Sequence, residues 1–227
     1  AEKIEVETSQ SNNFLPTAEE LKPHLEGAVL LTLCSPLNPT GTMFTKDQLT
    51  EICELVLEEN KKRDENEKPL YLMYDQIYAM LTFDEEHFNP VSLFPEMKKY
   101  TVFIDGTSKS FAATGVRVGW SFGPAEIIDK MKSLLGHIGA WAPKPEQQAV
   151  SVFLGETENV DFFVNDFKGK IAESLKILHT GIQEMKSRGL QVDSIKPMGA
   201  LYLTIELDYL GKTKPDGSQI ADSSDLV

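Results

Sequence analysis

The sequence predicts an α/β fold: a mostly parallel sheet flanked by helices, followed by the beginning of a smaller α+β domain. Three observations carry this. Apolar runs alternate with helical patterns along the first two thirds of the chain, as βαβ units do. The central strand candidates are near-continuously apolar, as strands covered on both faces are. A long helical stripe then starts near position 160, so residues 1–160 are expected to belong to a large domain. Residues 161–227 are expected to form a long interdomain helix and the start of a small domain.

Taken in order, KIEVE (3–7) alternates as a half-buried strand does. Thr17 and Glu20 form the T-x-x-E of a capping box, which opens a short helix closing before Gly27. Ala28 to Cys34 reads as a strand buried on both faces. SPLNPTG, dense in Pro, Asn and Gly, is a tight loop. Thr45 and Gln48 make a second capping box, and Leu49, Ile52, Cys53 and Val56 give the following helix one apolar stripe. KKRDENEK (61–68) is a helix end and solvated loop. LYLMYD, TVFID (101–105) and RVGWSF (117–122) are the next three strands.

Pro124 is placed at the first position of the helix AEIIDKMKSLL. Phe163, Phe167, Ile171, Leu175, Leu178, Ile182 and Met185 recur at helical spacing, with Gly189 as the stop. LQVDSI and LYLTIEL are two further strands, and the tail KTKPDGSQIADSSDLV is polar.

The composition excludes several classes. A net charge of −13 over 227 residues leaves no basic stripe to neutralise phosphates, so neither a nucleic-acid nor an anionic-membrane partner is expected. The longest apolar run, AVLLTLC, is far too short to span a bilayer. Cys34 and Cys53 are too few for a disulfide framework, and both are expected as reduced core residues of a cytoplasmic protein. The start AEKIEVET has no signal-peptide pattern and no initiator Met, which points to a chain cut from something longer. The four histidines lack metal-ligand spacing, so no metal site is expected. No GxGxxG is present to support a nicotinamide site.

In open α/β sheets, sites gather at the carboxyl ends of the strands. Four clusters stand there in chain order: Asn38 in SPLNPTG, Asp75 and Tyr78 in YDQIY, Ser108 and Lys109 in DGTSKSF, and Arg117 in ATGVRVGW. Successive members are 37, 34 and 8 positions apart, counting from Asn38 through Asp75 and Lys109 to Arg117. Each is weak alone. A lysine in a Ser-rich loop is ordinarily a solvated cation, Asn-Pro-Thr-Gly is first of all a turn, and an arginine beside a strand ordinarily pairs with an acid. Trp141, in GAWAPKPEQQ, reads as a packing residue, and substrate contact enters as an equal reading only with the resemblance given next.

Together and in this order the clusters resemble the class I/II aminotransferases, the fold-type I enzymes that use pyridoxal 5'-phosphate. The resemblance runs from about Ala28 to Leu203, where PMGALYL is similar to the first small-domain strands of that family. It implies that Lys109 condenses with the cofactor aldehyde as a Schiff base and serves as general acid and base. It implies that Asp75 faces the pyridine nitrogen and keeps the ring an electron sink. Asn38 and Tyr78 would donate to the phenolic oxygen. Arg117 would grip the phosphate with its planar fork, and Ser108 would add a hydroxyl. The implied substrates are an amino acid and a 2-oxo acid, and the implied full-length assembly is a homodimer. The resemblance also implies that Asn38–Pro39 is a cis peptide.

Two departures qualify the implication. The family's phosphate-binding Ser, three residues before the lysine, is Gly106 here, so a contact from this loop falls to Thr107, Ser108 or backbone N–H groups. Nothing before Ala28 resembles the family's Gly-rich phosphate loop, and neither Arg63 nor Arg188 has the context of its substrate-carboxylate arginine. A chain that binds the cofactor weakly and turns over little is therefore expected. The rival readings are a lyase or decarboxylase on the same scaffold, a non-enzymatic cofactor-binding regulator, and a structural domain with a degenerate site.

Overall fold

Four strands form the central sheet of the computed structural model, which describes residues 2–226. They are β1 (Leu30–Cys34), β2 (Tyr71–Asp75), β3 (Thr101–Gly106) and β4 (Gly119–Phe122). Their order in the sheet is their order in the chain. β1, β2 and β3 run parallel and β4 returns antiparallel to β3. The expected, mostly parallel sheet is therefore present. The register pairs Cys34 with Asp75, Asp75 with Ile104, and Gly106 with Gly119. The carboxyl ends of the three parallel strands and the start of β4 thus lie at one end of the sheet.

Helix α1 (Ala18–Leu21) opens on the expected box: the Glu20 amide donates to Thr17 Oγ1 at 3.2 Å, and the Thr17 amide donates to Glu20 Oε2 at 2.8 Å. Helix α2 (Lys46–Lys62) repeats the device with Thr45 and Gln48. Its stripe Leu49, Ile52, Cys53 and Val56 is fully buried against Leu33, Leu70, Leu72 and Phe103 of the sheet side. Burying four such side chains is the main stabilisation of this layer, at about 1.5–3 kcal/mol for each large apolar side chain. Arg63, beyond the end of α2, holds the loop by donating to the carbonyls of Leu25 and Lys68 while pairing with Glu59.

Beyond the sheet come the short α3 (Pro90–Leu93), then α4 (Ala125–Ile138), α5 (Lys144–Gly155) and the 31-residue α6 (Thr157–Ser187). α4 ends on Gly139 at φ +66°, a left-handed position that glycine adopts without a Cβ clash, and the Ala140 amide closes back to the Leu135 carbonyl. A two-stranded antiparallel sheet follows, β5 (Val192–Ser194) with β6 (Ile205–Leu207), and β5 packs on the end of α6. None of the helices among the described residues is long and apolar enough to cross a membrane.

Several expectations are corrected. KIEVE is not a strand; no neighbouring backbone pairs with it, and only its Val6 touches the core. β1 is not covered on both faces: Leu30 and Thr32, which share one face, are exposed, Leu30 at 53%. Pro124 is the residue before α4, with extended ψ, rather than its first helical residue. The fourth strand starts at Gly119, not Arg117. LYLTIEL is strand only at Ile205–Leu207, because its first residues are drawn into a crossing described below. The α6 stripe is only partly buried: Leu175 is buried, Phe167 and Ile171 are half-buried, Leu178 and Met185 are exposed, and Val160 and Val164 outside the stripe are buried. Cys53 is buried and Cys34 only half-buried, both as free thiols. The expected polar tail runs on to position 227, outside the described residues.

Candidate active site

The parallel strands deliver the candidate residues to one end of the sheet. Asp75 is the last residue of β2, and its Oδ1 accepts from the Ile77 amide at 3.1 Å, which starts the turn that buries Tyr78. Lys109 follows β3 by three residues and is half-buried. Its ammonium Nζ lies 6.0 Å from the centroid of the Tyr78 ring. Among the described residues Lys109 Nζ has no ion pair and no hydrogen bond. Ser110 pins the lysine loop to the neighbouring turn by donating to the Ile77 carbonyl at 3.2 Å.

The loop joining β3 and β4 is held tightly. Thr107 donates both its amide and its hydroxyl to the Val118 carbonyl, at 3.1 and 3.0 Å, and Thr114 Oγ1 donates to the Ser108 carbonyl. A Cβ on Gly106 would stand 2.9 Å from Gly119 Cα, so this glycine pair is what lets β3 and β4 close at the site. Arg117 sits just before β4 in the left-handed conformation at φ +59°, exposed, with Nη1 donating to the Thr114 carbonyl. Thr107 is buried and its hydroxyl is committed to the backbone. Of the two side chains left open after Gly106, that leaves Ser108, whose hydroxyl has no partner among the described residues.

The SPLNPTG loop is closed by the Leu37 amide donating to the Thr42 carbonyl, and both Ser35–Pro36 and Asn38–Pro39 are cis. Asn38 is exposed there. Cys34 lies between this loop and Asp75. Burial pushes its thiol up to about 11, and the Asp75 charge adds in the same direction against a backbone hydrogen bond at Asn38.

The structure therefore brings Lys109 and Tyr78 together directly and sets Asp75 one turn from Tyr78. Asn38, Ser108 and Arg117 share this end of the sheet, with no side-chain hydrogen bond to Lys109 among the described residues. Sequence reasoning passed over two neighbours. Asp105, in β3, accepts from the Gly106 amide and Gln76 Nε2, and burial raises its carboxyl above the ordinary value. Tyr202, assigned to a strand, has its hydroxyl 2.6 Å from that of Tyr78. Only a contact 124 positions apart reveals it, and no local pattern carries such a signal.

The family model described as "Aminotransferase class I and II" matches residues 1–221. An aspartate aminotransferase of Bacillus sp. (strain YM-2) is 29% identical over 203 residues, covering 88% of this chain and 47% of that protein. A probable aspartate/prephenate aminotransferase of Rhizobium leguminosarum is 28% identical over 225 residues, covering 98% and 52%. Among solved structures, the aspartate aminotransferase of Rhizobium meliloti superimposes with a TM-score of 0.83 at 25% identity, covering 96% of this chain and 52% of that one. The aspartate aminotransferase of Thermus thermophilus with maleate gives 0.76 at 27%, covering 89% and 49%. The chain spans about half the length of the curated relatives it matches.

Proposed function

The chain belongs to the class I and II aminotransferase family, and we propose that it carries the lysine-bearing half of a pyridoxal-phosphate-dependent aminotransferase site. The whole protein would then move an amino group between an amino acid and a 2-oxo acid. Relatives named aspartate aminotransferase and aspartate/prephenate aminotransferase support that chemistry. The observation that carries the reading is the approach of Lys109 to Tyr78, 6.0 Å from ammonium to ring centroid, at the ends of neighbouring parallel strands.

The donor set fits a phosphorylated pyridine aldehyde. It offers an unengaged amine, a carboxylate, neutral hydrogen-bond donors and an exposed guanidinium at one end of the sheet. When bound, pyridoxal phosphate supplies an electron sink for the carbon that bears the substrate amine. The chain's own residues would do the rest. Lys109 would anchor the cofactor covalently, and once displaced its amine would take the proton from the substrate α-carbon and deliver it to the aldehyde-derived carbon of the cofactor. Asp75, with one oxygen held by the Ile77 amide, keeps a proton on the ring nitrogen. Asn38 and Tyr78 hydrogen-bond the phenolic oxygen. Arg117 and Ser108 hold the phosphate.

In this reading residues 1–160 are part of the large cofactor-binding domain, and 161–227 are the interdomain helix and the start of the small one. The full-length assembly is a cytoplasmic homodimer. Neither nucleic acid nor membrane is a partner, consistent with the net charge of −13.

The test is an absorbance titration of the chain with pyridoxal phosphate. A saturable spectral change is expected, and Lys109→Ala is expected to abolish it. An equal titration in Lys109→Ala would overturn the reading.

A further inference from the structure

The segment between β5 and β6 crosses the candidate site instead of running past it. The Met198 and Gly199 amides both donate to the Gly41 carbonyl, at 2.8 and 3.0 Å, and the Ala200 amide donates to the Leu81 carbonyl at 2.9 Å. Thr82 and Gly199 form an antiparallel bridge. The strand is therefore sewn between the Asn38 loop on one side and the Tyr78 turn on the other.

The fit is close at both borders. A Cβ on Gly41 would stand 2.6 Å from the Tyr202 carbonyl oxygen, and one on Gly199 would stand 2.8 Å from the Leu81 carbonyl oxygen. Ala200, Tyr78 and Leu81 form a small buried cluster, covered by Phe167 and Ile171 of α6. Tyr202 leaves this crossing edge-to-face on Tyr78, with centroids 5.7 Å apart and planes at 74°. Its hydroxyl meets the Tyr78 hydroxyl at 2.6 Å.

We propose that Tyr202 is a positioning residue for the cofactor site, acting through Tyr78: its hydroxyl fixes the direction in which the Tyr78 hydroxyl donates. This deepens the aminotransferase reading and rests on it. The argument is a count of protons. A phenol has one proton to give and can also accept one. A Tyr78 that donates to a cofactor oxygen has no proton left for Tyr202. Tyr202 must then be the donor and Tyr78 the acceptor, giving a chain from Tyr202 through Tyr78 to the cofactor. Such chains polarise one another, so the Tyr202 donor strengthens Tyr78 as a donor in turn.

Without cofactor either hydroxyl of the pair can be the donor. Burial, and next to it the hydrogen bond with Tyr202, hold the Tyr78 phenol above its ordinary value. The Asp75 and Cys34 charges push the same way, and the Lys109 ammonium over the ring is the nearby cation.

The experiment is a double-mutant cycle on the 227-residue chain with Tyr202→Phe, Tyr78→Phe and the double variant. Pyridoxal phosphate affinity is read by absorbance. Loss of one hydrogen bond predicts a weakening of about threefold to tenfold for Tyr202→Phe. In the Tyr78→Phe background the same change should cost less than about twofold, because the residue it acts through is gone. Equal losses in both backgrounds, or none in either, would overturn the proposal.

Alkaline titration of the phenols in cofactor-free protein is the second readout. The Tyr78 step is isolated by subtracting the Tyr78→Phe counterpart. It should move in Tyr202→Phe, since the phenol loses the hydroxyl paired with it, and an unmoved step contradicts the pairing. If the unmodified chain shows no cofactor titration at all, the aminotransferase reading of this chain and the positioning role resting on it both fail. The phenol titration then still decides the hydroxyl pair.

Discussion

Helices α2 and α6 carry the same kind of apolar periodicity, yet they end up in different environments. α2 lies on the parallel sheet, and Leu49, Ile52, Cys53 and Val56 are all fully buried. α6 is almost twice as long, and only Val160, Val164 and Leu175 are buried along it. α4 and α5 bury no residue at all, and Leu134, Ile138, Trp141 and Val152 stand in solvent. Periodicity states which face of a helix is apolar. Whether that face meets anything depends on the surface opposite it, and this chain supplies such a surface only around the sheet.

Large-to-small substitutions sharpen the contrast most. Ile52→Ala is expected to cost about 2–5 kcal/mol, because it opens a cavity in a close-packed layer. Leu178→Ala, at a position 56% exposed, is expected to stay within about 0.5 kcal/mol. Denaturant midpoints of the two variants check this directly, and similar shifts would mean that α6 is as tightly packed as α2.

A smaller effect is expected where β3 and β4 close at the candidate site. Gly106→Ala brings a methyl against Gly119 Cα and is expected to cost about 1–3 kcal/mol through strain between β3 and β4. Amide exchange in β4 should rise with it while β1 and β2 keep their protection. Uniform protection across all four strands would contradict the close approach.

The smallest effect belongs to β5 and the end of α6. Asp193 in β5 is held by Lys186 at 2.6 Å, by Gln183 at 2.9 Å and by the Ser194 amide at 2.8 Å, and these partners lower its carboxyl to about 2. A carboxylate depressed in the fold contributes stability above its ordinary value of 3.8, and that contribution is lost as pH falls through about 2. Acidification between about pH 4 and pH 2 should therefore loosen β5 from the end of α6. Asp193→Asn should remove that part of the pH dependence, read by exchange of the β5 amides; an unchanged acid response in the variant would refute the clasp.

Legibility followed the same division. The two capping boxes, the sheet strands and the α2 stripe could be read because each is decided within a few residues. KIEVE could not, since alternation says nothing about whether a partner strand exists. The sequence puts Arg117 at the start of a strand that begins two residues later, because the left-handed turn that carries it leaves no mark in the sequence. The candidate site was legible as an ordered set of loops at strand ends. Its internal wiring was not: the Tyr78–Tyr202 pair and the commitment of Thr107 to Val118 are contacts between segments whose approach only the fold determines.

The measurement that bears most directly on the central claim is borohydride reduction of the chain after incubation with pyridoxal phosphate, followed by peptide mass mapping. The account predicts a single pyridoxyl adduct on Lys109, absent in Lys109→Ala. Adducts scattered over exposed lysines such as Lys61 and Lys98, with Lys109 no more modified than they are, would contradict it.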